Sequence, residues 1–132
     1  MAIVAEGTRK KLSSLNPPQG NVIAGHNAAA EITYGMPCRI TAAGVVPSVG
    51  AEDVDGFALG ETGIGEPISL LKGGERLRYG SGLAVGTNLY LDPATPGRLN
   101  TTQGAGDNAT RVARVIEPHV IAVYERHLTP GV

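Results

Sequence analysis

Glycine and proline interrupt this chain too often for a long helix to fit between them. There are 19 Gly and 9 Pro in 132 residues. Breakers recur at roughly ten-residue spacing, among them Gly63-Ile64-Gly65, Gly73-Gly74, Gly80-Ser81-Gly82 and Pro96-Gly97. Gly admits backbone conformations that other residues avoid and Pro removes a ladder donor, so such punctuation suits short strands joined by tight turns. The runs between breakers are apolar and β-branched, and residues 32–41, 45–49, 56–59, 67–71, 75–79, 87–91, 98–101, 110–116 and 120–126 each read as a strand. Ala109, Val112, Ala113 and Ile116 carry a competing helical spacing, with Asp107 as its cap. Their β-branched neighbours favour the strand.

The stretch from Tyr34-Gly35 through Leu70-Leu71 echoes the one from Val85-Gly86 through Ala122-Val123. In each, a Gly leads into a strand, a Gly-led hairpin follows and two more strands finish. Two similar sheet units that pack together to bury their apolar faces would explain the echo. With 42% hydrophobic residues but only 4% aromatic and no Trp, the core must be built from Val, Ile, Leu and Ala. Residues 1–30 differ: apolar residues are sparse, and Pro17-Pro18 favours extended geometry. They read as an N-terminal arm on a surface, or as a tail, ahead of a β domain at 31–132. The expected fold is all-β: a small barrel, tulip or sandwich of two sheet units with an extended arm.

Charge and chemistry narrow the function by exclusion. Eleven Lys and Arg against twelve Asp and Glu give a net charge of −1, without the basic excess that a direct nucleic-acid binder needs. No apolar run is long enough for a membrane span, and no secretory leader is legible. Cys38 lies inside an expected strand and reads as a packing residue. The three histidines, His26, His119 and His127, have no metal-ligand spacing. Glu52-Asp53 with Asp55 reads as a solvated turn, and Gly60-Glu61-Thr62-Gly63-Ile64-Gly65 as a hairpin without the Lys-Ser/Thr of a phosphate loop. Ser81-Gly82-Leu83-Ala84 is similar to a short stretch of trimeric dUTP pyrophosphatases, but their two aspartate motifs are missing. The expectation is therefore a protein that is not an enzyme and uses no cofactor.

Asp55-Gly56-Phe57-Ala58-Leu59-Gly60, Gly65-Glu66-Pro67-Ile68-Ser69-Leu70 and Gly86-Thr87-Asn88-Leu89-Tyr90-Leu91-Asp92 leading into Gly97-Arg98-Leu99-Asn100-Thr101-Thr102 together resemble the small head-decoration, or capsid-cement, proteins of tailed bacteriophages. The resemblance spans about residues 32–126. It departs where Glu117-Pro118-His119 replaces the Gly expected before the last strand. The resemblance implies a homotrimer on the capsid exterior of a virion, bridging subunits of the major capsid protein against internal DNA pressure. It also implies capsid contact through the arm, by Arg9, Lys10, Lys11, Leu12, Leu15, Pro17 and Pro18. Tyr34, Tyr79, Tyr90 and Tyr124 are expected in the core or at interfaces. Other readings of the same β grammar are a head-fibre base, a tail component or a trimeric nucleotide hydrolase.

Overall fold

A computed structural model describes residues 22–50, 52–80, 82–103 and 110–126. The strands, in chain order, are β1 (Val22–Asn27), β2 (Pro37–Thr41), β3 (Gly44–Pro47), β4 (Gly56–Ala58), β5 (Pro67–Leu71), β6 (Arg76–Arg78), β7 (Asn88–Leu91), β8 (Leu99–Asn100), β9 (Ala113–Glu117) and β10 (Val120–Val123). They form two five-stranded antiparallel sheets, with orders β1-β5-β4-β2-β3 and β6-β10-β9-β7-β8. All nine expected strands are present, most of them shortened at their ends. The helical spacing does not make a helix: its second half, Ala113 to Ile116, lies in β9.

The second strand order is the first shifted by five, so the echo between the halves is a repeated topology. Hydrogen bonds match residue for residue. Gly35 N–H donates to Ala58 O, Ala58 N–H to Met36 O and Asp55 N–H to Cys38 O. In the second sheet Gly86 N–H donates to Val115 O, Val115 N–H to Thr87 O and Val112 N–H to Leu89 O. Gly35 and Gly86 turn the chain into β2 and β7 at φ +86° and +92°, a region that costs most other residues strain.

The sheets are not a closed barrel. The edge strands of the first sheet, β1 and β3, meet only near an isolated bridge between Ala28 and Val45. Part of the stretch 1–30, expected to be an arm, is a strand of the first sheet: β1 pairs along β5, from Val22 opposite Leu71 to Asn27 opposite Pro67. The register slips between Ile23 and His26, with Gly25 at φ +89°, so the strand lacks the clean alternation that marks one in sequence. Residues 1–21 lie outside the described residues.

Register fixes which side chains share a face. On the inner face of the first sheet Ile23, Leu70 and Ala58 sit side by side, as do Cys38 with Gly56 and Ile40 with Val45. The matching places in the second sheet hold Leu77, Ile121 and Val115, then Leu89 with Ala113, then Leu91 with Leu99. Every residue of the second set is buried. The opposite faces differ. In the first sheet Val22, Leu71, Phe57 and Pro37 form a row, and Phe57 and Leu71 join the second unit's inner residues in one large core. The matching row of the second sheet is Arg76, Ala122, Arg114 and Asn88, with both arginines exposed. The first sheet is thus buried on both faces, its inner side closing over a smaller core with Ala28 and Ile32.

Backbone bonds stitch the units together where the cores meet. Gly97 N–H donates to Ser48 O, Gly50 N–H to Asp92 O, and Val54 and Arg126 exchange a pair. Gly97 has φ +76°, and a Cβ there would lie 2.7 Å from Met36 Sδ, so this close approach needs glycine.

Candidate functional site

Among the described residues, Cys38 and two carboxylates of the 52–55 turn serve the fold. Cys38 is fully buried on β2, its Sγ donating to Met36 O at 3.3 Å, and burial pushes its thiol up to about 12. A thiol so held is protonated and inert at neutral pH. The carboxylates of the 52–55 turn point to separate tasks. Glu52 accepts from Val49 N–H at 3.0 Å and pairs with Arg39 at 3.2 Å, while Asp55 accepts from Ile40 N–H at 2.8 Å. His26 lies on β1, opposite Ile68. His119 sits in the β9–β10 turn, 4.0 Å from Glu117. His127 and the expected arm contacts Arg9, Lys10, Lys11, Leu12, Leu15, Pro17 and Pro18 fall outside the described residues. Among the described residues no three His, Cys, Asp or Glu side chains group as metal ligands, and no helix is long and apolar enough to cross a membrane. Tyr34, Tyr79 and Tyr90 are buried in the fold, and Tyr124 is half-buried beneath Arg111.

Two polar anchors escaped the sequence reading. Arg126 is buried, and its guanidinium donates to the carbonyls of Gly50 at 2.6 Å, Glu52 at 2.7 and 3.2 Å, and Thr110 at 3.0 Å. It joins the β3–β4 link of the first unit to the approach to β9 in the second. Asp92 is also buried and caps the β7–β8 turn. It accepts from Ala94 N–H at 3.0 Å, Thr95 N–H at 2.7 Å and Asn100 Nδ2 at 2.8 Å. Burial alone would raise its carboxyl, but the Asn100 amide and the two backbone donors together hold it below the usual range. Nothing in the local sequence distinguishes either residue from a surface charge.

What remains for recognition is surface, and its charge is segregated. Residues 22–72 carry Glu31, Glu52, Asp53, Asp55, Glu61 and Glu66 against Arg39 and Lys72. Three of those acids share one place. The bridge between Ile32 and Thr62 brings Glu31 beside the Gly60–Gly65 loop, where Glu31, Glu61 and Glu66 rim a shallow open depression. Glu66 also accepts from Gly63 N–H at 2.6 Å, which holds the loop. Ile64, at its tip, is 70% exposed. The second surface is the outer face of the second sheet. Arg76 and Arg114 stand two strands apart, about 10 Å by normal strand spacing. Arg111 reaches Asn88 Oδ1 at 3.0 Å and stacks 4.7 Å from the Tyr124 ring. Neither Arg76 nor Arg114 has a carboxylate partner among the described residues.

Comparison of the chain with protein-family models, curated proteins and solved structures gives no match.

Proposed function

We propose that this protein is a structural virion component that binds the outside of a phage head and bridges neighbouring major capsid subunits. The observation that carries the reading is where the resembling segments fall. Asp55 to Gly60 holds β4, Gly65 to Leu70 leads into and fills most of β5, Gly86 to Asp92 holds β7, and Gly97 to Thr102 holds β8. The motifs therefore shape the body itself instead of decorating a loop. That body offers charged outer surfaces, while its buried thiol and carboxylates serve the fold. Such a protein acts mechanically: modest interfaces, repeated over a symmetric lattice, resist outward pressure through avidity. Copies of the chain would join one another there, as a trimer on the exterior of the virion.

The test is co-sedimentation of purified protein with heads that lack it, followed by heating of the loaded heads. Saturable binding that raises the temperature of head disruption supports cementing; absence of binding overturns it. The arm is assessed by deleting residues 1–21, because a deletion to residue 30 would also remove β1.

A further inference from the structure

We propose that the Arg76–Ala122–Arg114–Asn88 row is a docking face for the acidic tip of a second copy of this chain. The contact would be head-to-tail: Glu31 and Glu61 of one molecule set against Arg76, Arg111 and Arg114 of the next. This deepens the self-association within the proposed function and rests on that part of it alone.

Three observations lead there. The first is the repeat. The matching row of the first sheet, Val22–Leu71–Phe57–Pro37, is the side whose Phe57 and Leu71 pack onto the second unit. The same position in the second sheet carries Arg76 and Arg114, both exposed.

The second is the order of layers. The first sheet packs its outer face on the second unit and closes its inner face with the segment around Ile32. Glu31 is the exposed neighbour of Ile32, on the side of the first sheet that faces away from the second unit, whereas the arginine row is on the side of the second sheet that faces away from the shared core. Repeating the internal stacking between molecules brings one of these sides onto the other.

The third is complementarity. Glu31, Glu61, Arg76 and Arg114 have no opposite charge within ion-pair reach among the described residues. Each surface also has an apolar spot at hand: Ile64 lies on the loop between Glu61 and Glu66, while Val85, 63% exposed, precedes Gly86. Arg114 Nη2 lies 3.8 Å from where a Cβ on Gly86 would be. A nucleic-acid strand fits less well, because three arginines on a chain of net charge −1 fall short of the basic excess that phosphate binding needs. A contact between unlike surfaces is heterologous, and it closes into a ring or runs on as a filament according to its rotation.

The experiment is sedimentation velocity on the full chain without capsid, from about 10 μM to about 1 mM protein, in about 50 and about 500 mM NaCl, with lattice avidity absent and the contact therefore weak. The wild type should gain mass with concentration, with association at least tenfold weaker in high salt. Arg76→Glu with Arg114→Glu should sediment as a monomer, as should Glu31→Arg with Glu61→Arg. Mixed in equal amounts, the two variants should associate again, because each then offers what the other lacks. Circular dichroism of each variant before mixing identifies any that has unfolded, and Arg76→Gln with Arg114→Gln then replaces a misfolded reversal. A monomeric wild type at every concentration, association that survives either reversal, or folded variants that stay apart on mixing would overturn the proposal. Head binding is untouched by any of these results.

Discussion

Replacing Arg126 should loosen the joint between the two sheet units more than it disturbs either unit. The side chain is 2% exposed and serves three backbone carbonyls, those of Gly50, Glu52 and Thr110. Hydrogen bonds to a charged donor contribute about 1.5–3 kcal/mol each. Two effects reduce their sum: the guanidinium no longer has to be desolvated, and the half-buried Gly50 and Glu52 and exposed Thr110 can turn to water. Arg126→Ala should therefore cost about 3–5 kcal/mol, a large share of the 5–15 kcal/mol typical of a domain. Arg126→Met keeps the aliphatic stem and isolates the polar part, at about 2–3 kcal/mol. Arg126→Lys can reach one carbonyl well but not three, and should fall between wild type and Met. The strand bridge from Val54 to Arg126 uses backbone atoms and survives all three changes. Urea unfolding followed by circular dichroism gives both the free energy and its slope. Besides the loss of stability, the slope should fall, because units no longer clamped together unfold less cooperatively. Arg126→Met within about 0.5 kcal/mol of wild type at unchanged slope would refute the clamp.

Three further outcomes are expected. Asp92→Ala deprives the buried Asn100 amide of its acceptor and should cost about 1–3 kcal/mol in urea unfolding. In the wild type, the folded carboxyl titrates below the unfolded value near 3.9, so its stabilisation is whole above about pH 4 and fades as pH falls through the folded value; Asp92→Asn should flatten that acid limb. Phe57→Ala empties a fully buried site where both units meet and should cost about 3–5 kcal/mol by the same assay. Cys38 should react with an aromatic disulfide reagent at least about 100-fold more slowly in the folded protein than in urea, and rapid labelling of the native chain would contradict its burial.

The strands after residue 31 were legible because Gly and Pro mark their ends and β-branched residues fill them, as at Pro67–Leu71, where expected and observed bounds coincide. The repeat was legible too, through Gly35 and Gly86 at the same place in each unit. β1 was not: Val22-Ile23-Ala24 is too short an apolar run, and the irregularity around Gly25 breaks its alternation. Its counterpart β6 was read as a strand but not as part of the repeat, since Arg76 stands where the first unit has Val22. The closed-barrel alternative was open in sequence because strand number and alternation suit barrel and sandwich alike; the lone Ala28–Val45 bridge between edge strands is a tertiary fact. The charged surfaces were hidden for a similar reason. Glu31 and Glu61 are thirty positions apart in the sequence, and only the Ile32–Thr62 bridge brings them together.

The sharing of one core between unlike faces has a consequence for how such a chain can change. In a string of independent modules, either copy can be lost, exchanged or replaced by a better one. Here Phe57 and Leu71, from the first unit, share one core with Leu77, Leu89 and Ile121 of the second. A larger side chain on one side must be answered by a smaller one on the other. The two units are therefore not interchangeable: each is a mould for its neighbour, and substitutions should vary together across the junction.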